Sequence, residues 1–147
     1  MTKAHRAIER LIYAYADAID SGRFEELVRL LARAVLRAEG RVLADRSAES
    51  VARLYRSTTR IYEDGTPRTK HVVTNCVIDV DEERGVAAAR SVYTVLQALE
   101  DFPLQPVIAG RYHDRFERDE AGNWHFAERE IFVDLRGDLS RHLKFDL

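Results

Sequence analysis

The chain has a single cysteine, Cys76, so no internal disulfide is available and an apolar core has to hold the fold. It also has no apolar run approaching the roughly 20 residues that a bilayer-spanning helix needs. Met1-Thr2-Lys3-Ala4-His5 leads directly into a helical pattern, without a leader-like apolar stretch. These absences predict a cytoplasmic protein that does not engage a membrane. A basic surplus is missing as well: 23 Lys and Arg stand against 25 Asp and Glu, a formal net charge of −2. Nucleic-acid binding depends on neutralising phosphates, and no surplus cation is there to do it. The Arg-rich stretch from Arg29 to Arg60 is broken by Glu39, Asp45 and Glu49, which makes it a solvated face.

The motifs of several enzyme classes are absent too. There is no Gly-x-Ser-x-Gly elbow, no phosphate loop and no dinucleotide fingerprint. Histidines stand at 5, 71, 113, 125 and 142, but no His-x-x-x-His or Cys-x-x-Cys spacing joins them into a metal set. His113 and Asp114 are adjacent on a strand-like run, which sends their side chains to opposite faces. Neither metal nor organic cofactor is therefore expected. Cys76 reads as a small apolar filler, and on a regular strand it faces away from His71, Val73 and Asn75.

What remains is the material for one domain spanning 1–147, with 46% hydrophobic and 33% charged residues. Ile8, Leu11, Ile12, Tyr15 and Ile19 recur at helical spacing and stop near Ser21-Gly22. Phe24, Leu27, Val28 and Leu31 mark a second helix, with Glu25 and Glu26 favouring its positive end. Residues 35–46 suggest a short hairpin around Gly40. Ser47 is placed to cap a third helix that turns Val51, Leu54, Tyr55 and Thr58 inward.

After Tyr62 the period changes from helical to alternating. Four β-rich runs follow, His71–Asp81, Val86–Leu99, Pro106–Arg118 and Trp124–Leu135, joined by loops short enough to require antiparallel pairing. A run of about twelve residues would span roughly 40 Å at ~3.3 Å each, so the sheet must curl, with Gly110 a candidate bend. Helices first and strands afterwards predict an α+β fold: a cone-shaped, curved antiparallel sheet with three N-terminal helices on its concave side. The tail beyond Leu135 is polar apart from Leu139, Leu143, Phe145 and Leu147, and either docks or frays.

Two residues stand out chemically. His71 opens the first long strand, where a funnel mouth would lie, with Asn75 on the same face of a regular strand. Asp20 closes the first helix, where its charge opposes the local dipole at a cost of about 0.3–1 kcal/mol. Each has an ordinary structural alternative: a solvated strand-end histidine, and an Asp-Ser-Gly helix exit.

Three segments in order shift that balance. Tyr15-Ala16-Asp17-Ala18-Ile19-Asp20 with Phe24-Glu25-Glu26-Leu27, then Lys70-His71-Val72-Val73-Thr74-Asn75, then Ala109-Gly110-Arg111-Tyr112 with Trp124-His125-Phe126-Ala127-Glu128-Arg129, resemble the SnoaL-like branch of the nuclear transport factor 2-like superfamily. The resemblance runs from Ile8 to about Leu139 and takes in scytalone and bile-acid dehydratases, the lindane dehydrochlorinase and small subunits of ring-hydroxylating dioxygenases. It implies a cystatin-like cone with a histidine–aspartate dyad at His71 and Asp20 and a catalytic tyrosine at Tyr15. It also implies a cofactor-independent dehydratase or isomerase acting on a small, partly apolar carbonyl compound. The second histidine of scytalone dehydratase is missing from the next strand, which reads Arg90-Ser91-Val92-Tyr93, and the tyrosine before its aspartate is Ile19 here. Tyr55, Asn75, Tyr93, Tyr112 and Arg90 are candidate substrate contacts, and Arg129 is either a carboxylate binder or a partner of Asp114. The alternative function is a non-catalytic small-subunit-like or ligand-binding protein. In either case the chain is expected to bind a small molecule and to assemble as a homodimer or homotrimer, since Val72, Ile78, Val92 and Val95 put apolar residues on both sheet faces.

Overall fold

The computed structural model describes all 147 residues. The apolar stripe of Ile8, Ile12, Tyr15 and Ile19 folds as α1 (Lys3–Asp20), capped by the Thr2 hydroxyl, which accepts from the His5 amide. Its end is a Schellman motif: Arg23 N–H reaches Ala18 O at 2.9 Å and Gly22 N–H reaches Ile19 O at 3.2 Å. Gly22 sits at φ +71°, and a Cβ there would lie 2.0 Å from the Gly65 carbonyl oxygen. That close approach fixes where α1 stops, and with it the position of Asp20. Helices α2 (Phe24–Leu31) and α3 (Ala48–Thr58) follow, and Ser47 caps α3 by accepting from Ser50 N–H. Strands β1 (Val35–Ala38) and β2 (Arg41–Asp45) form the short hairpin between them.

The four long strands are β3 (Thr69–Asp81), β4 (Val86–Leu99), β5 (Phe102–Arg118) and β6 (Trp124–Arg136). They pair antiparallel in chain order, within a six-stranded sheet ordered β2-β1-β6-β5-β4-β3. The sheet is mixed: β1 runs parallel to β6, the one departure from the expected antiparallel arrangement. Residues 39–123, which carry β2, α3 and the other three long strands, supply the long connection that parallel neighbours need. Helix α1 lies against β3 and β6, so the core forms between the helices and the inner sheet face, from Leu27 and Val51 to Tyr93, Val107 and Phe116. No helix is long and apolar enough to cross a membrane.

Irregularities in the ladder decide which side chains enter the cone. In β3, Asn75 and Cys76 together oppose Ser91, and Asn75 takes φ 53°, a left-handed conformation that asparagine tolerates better than most residues. Beyond this bulge the inward positions change from odd to even numbers. In β6 the register shifts where Ala127 is extra, so Phe126 and Arg129 both point inward although they are an odd number of positions apart. A further shift at Gly110 confirms the expected bend. A Cβ there would meet the Phe132 carbonyl oxygen at 1.9 Å and the Tyr93 hydroxyl at 2.7 Å.

The tail docks rather than frays. Arg60 N–H donates to His142 O and Lys144 N–H to Thr58 O, both at 2.9 Å, while Leu143 bridges Thr59. The Gln97 amide adds a bond to Arg141 O at 2.9 Å.

Candidate functional site

The Schellman turn presents the Asp20 carboxylate to the first turn of β3. Its Oδ2 accepts from the His71 backbone N–H at 2.6 Å, and its Oδ1 accepts from the Thr69 hydroxyl at 2.8 Å and lies 2.6 Å from His71 Nδ1. Both side chains are sealed, at 5% exposure for His71 and 9% for Asp20. Burial alone would raise the Asp20 pKa. The side-chain bond and charge of His71, together with its amide and Thr69, outweigh burial and hold it below the ordinary carboxylate value. An ionised carboxylate on Nδ1 requires that nitrogen to carry the proton, leaving Nε2 as the basic atom.

Tyr15 packs edge-on against this imidazole, with ring centroids 6.4 Å apart, and its hydroxyl lies 2.9 Å from the Tyr55 hydroxyl. Burial pushes the Tyr55 phenol well above its usual pKa, so it remains a neutral hydrogen-bonding group. Tyr112 stands edge-on to Tyr15 and stacks on Tyr93, whose hydroxyl donates to the Phe132 carbonyl across Gly110.

Behind this aromatic cluster lies a wholly buried ion pair. Arg129 donates from Nε and Nη2 to the two Asp114 oxygens, each at 2.8 Å, with both side chains at 0% exposure. The guanidinium also lies over the rings of Tyr112 at 3.7 Å and Tyr15 at 4.3 Å. Burial would lower its pKa, but Asp114 more than offsets this and the pKa rises. The open choice for Arg129 thus resolves towards Asp114, although its Nη1 keeps no partner.

Two expected substrate contacts are not in the cone. Asn75 is exposed because the β3 bulge breaks the alternation that would have carried it inward. Arg90 lies between the buried Ala89 and Ser91, so its side chain projects from the opposite, outer face. The bulge also moves Cys76 onto the inner side, where it packs against the core and burial raises its thiol pKa. Tyr15, Tyr55, Tyr93 and Tyr112 are all inward and buried, as expected.

One residue went unread in the sequence. His142 is delivered by the docked tail, its ring 6.0 Å from that of His71, with Nδ1 buried and unpartnered. Burial, then the neighbouring His71, lowers its pKa to about 4. The aperiodic tail carried no signal that could have placed it. No group of three or more His, Cys, Asp or Glu side chains converges in the arrangement of a metal site.

A groove of about 480 Å³ opens between α2 and α3 beside the tail, lined by Phe24, Val28, Ala52, Tyr55, Thr59 and Ile61 with charged residues at its edge. It reaches Tyr55, and through the Tyr55–Tyr15 bond it approaches His71, which does not itself line it. Asp20 also faces a polar cleft of about 520 Å³ with Thr66, Arg68 and Lys70.

The same architecture occurs in solved structures from Novosphingobium aromaticivorans. A protein with a cystatin-like fold, described as NTF2-like, superposes with a TM-score of 0.71 at 20% identity, covering 93% of this chain and 85% of that one. A protein assigned as a scytalone dehydratase gives 0.68 at 24% identity, covering 92% and 87%. The beta subunit of an assigned aromatic-ring-hydroxylating dioxygenase gives 0.70 at 21% identity, covering 95% of each chain. No curated protein matches the chain at a significant level. The sequence model of the SnoaL-like domain matches residues 1–130, nearly the whole of the cone just described. The chain therefore belongs to the SnoaL-like domain family.

Proposed function

We propose that the chain is a dehydratase or isomerase that moves a proton on a small, partly apolar carbonyl compound, using His71 and Asp20. The observation that carries this reading is the double grip of Asp20 on Nδ1 and on the backbone N–H of His71, each at 2.6 Å. Asp20 fixes the tautomer, and His71 Nε2 removes a proton α to the substrate carbonyl. The C–H electron pair becomes the enolate, and the Tyr15 hydroxyl donates to its oxygen while Tyr55 donates in turn to Tyr15. The enolate then collapses to the alkene, a β-hydroxyl leaves, and the His71 imidazolium returns its proton to release water. Reprotonation at another carbon gives an isomer instead. Either course moves only protons and electron pairs. Tyr93 and Tyr112 form the apolar wall, with Tyr93 held by its bond to Phe132 O.

The test is α-proton exchange in deuterium oxide, together with dehydration, over a panel of cyclic β-hydroxyketones. The wild-type chain is expected to catalyse both, and His71→Ala or Asp20→Asn to reduce turnover by at least about a thousandfold, the upper range of acid–base contributions. Full activity in both variants, or none in the wild type, overturns the dyad.

A second reading is favoured by how full the cone is. The aromatic cluster and the Arg129–Asp114 pair occupy its interior, and His71 is nearly sealed. A non-catalytic subunit needs no open chamber, and this chain would then pair with a separate oxygenase chain. Co-purification with a Rieske-type partner favours that reading; a homodimer or homotrimer joined through the exposed Val72 and Val77 face favours the first.

A further inference from the structure

The groove between α2 and α3 joins an apolar floor to a one-sided charge. Phe24, Val28, Ala52 and Ile61 supply hydrocarbon, while Arg29, Arg56 and Lys144 share the lining with a single carboxylate, Glu25. A local excess of two positive charges stands out in a chain whose formal net charge is −2. Neither Arg29 nor Arg56 takes part in any of the ion pairs of the structure, although ten other arginines do. The Lys144 ammonium donates to Arg56 O at 2.9 Å, which holds it beside the end of α3. Helix C-terminal carbonyls favour such a cation, so its placement there is stable.

We propose that this groove binds an apolar carboxylate, with its hydrocarbon body on Phe24, Val28, Ala52 and Ile61 and its carboxylate among Arg29, Arg56 and Lys144. Guanidinium groups suit a carboxylate because their planar donors match its two oxygens, and an unpaired pair of them has donors to spare. A volume of about 480 Å³ lies within the range of small-molecule pockets, and five of the ten lining residues are hydrophobic. The inference extends the dyad reading by naming the substrate class: an apolar keto acid anchored in the groove, its carbonyl directed past Tyr55 towards Tyr15. The cations act here as binding groups and leave the proton transfer to the dyad.

The experiment compares naphthoate with its neutral counterpart naphthylmethanol by titration calorimetry, using the wild-type chain and an Arg29→Gln/Arg56→Gln variant. Both positions are exposed, so the variant is expected to fold, and a thermal melt checks that it does. Naphthoate is expected to bind the wild type at least about tenfold more tightly than naphthylmethanol. The double variant is expected to lose roughly five- to tenfold in naphthoate affinity, as two partly exposed charge contacts would allow, with the alcohol unchanged. Equal binding of acid and alcohol, an unaffected double variant, or no naphthoate binding to the wild type overturns the proposal. Charge-selective binding without turnover of any ketone would overturn the dyad and leave this site standing. Turnover without charge-selective binding would do the reverse.

Discussion

Two buried carboxylates, Asp114 and Asp20, each hold a nitrogen-bearing side chain inside the same cone, and the two pairs are built for different ends. Asp114 and Arg129 face each other directly across β5 and β6; Arg129 donates two bonds at 2.8 Å to Asp114, and its guanidinium lies over the rings of Tyr15 and Tyr112. Asp20 and His71 meet across a helix end and a strand start, with one ring bond and one backbone bond, so that the imidazole keeps Nε2 free of partners within the chain. The first arrangement ties both carboxylate oxygens and two guanidinium nitrogens to each other, with no free base among them. The second leaves a titratable atom unspent. A buried charge pair of the first kind is a structural commitment, since removing one member strands the other without water. The second kind can lose a charge and still keep its hydrogen bonds.

Three measurements test whether the two pairs differ in this way. The largest effect should follow Asp114→Ala, which leaves Arg129 buried and unpaired: about 3–5 kcal/mol lost in urea unfolding. The paired replacement Asp114→Leu/Arg129→Met should recover most of that loss, because the penalty lies in the stranded charge. A failure to recover would mean that the pair, and not its isolation, holds the sheet.

Acidification gives the next effect. His142 falls from 6.5 to about 4 on folding, and Asp20 is lowered as well, so the unfolded chain binds more protons than the folded one as the solution is acidified. Stability is therefore complete above pH 6.5 and declines as the pH falls through 4. His142 accounts for about 3 kcal/mol of that decline at 1.36 kcal/mol per unit. His142→Gln should flatten the pH dependence of the melting temperature between those limits, and an unchanged slope would mean that the tail lifts away from the core before it titrates.

The smallest effect is expected from Asp20→Asn. The amide oxygen keeps the bonds of one carboxylate oxygen, while the NH2 group that replaces the other can no longer accept, so stability should fall by about 1–2 kcal/mol. A loss as large as that of Asp114→Ala would erase the distinction between the two pairs.

How much of this the sequence disclosed depended on periodicity. The stripe from Ile8 to Ile19, the Ser47 cap and the alternating runs after Tyr62 placed the helices and long strands within a few residues, because period and capping are local properties. The dyad was not visible in that way. Asp20 and His71 are 51 residues apart, and only the resemblance of their two segments to a family brought them together. Asn75 was misread because face assignment assumes regular pleating, whereas β3 inserts a residue there; Arg90 lies in a regular stretch of β4, whose alternation already puts it on the face opposite Tyr93. His142 and the groove were invisible for a different reason: each depends on a segment without period docking onto distant helices.

The bulge at Asn75 also bears on how this strand tolerates change in length. Removing one residue from a regular strand turns every later side chain to the wrong face. In β3 the inward set runs Thr69, His71 and Val73 before the bulge and Cys76, Ile78 and Val80 after it. Deleting Asn75 would join the two sets into one unbroken alternation, with His71 still facing Asp20. A lineage could gain or shed that residue in a single event without moving its histidine, so the spacing between His71 and the later inward residues of β3 is free to drift by one.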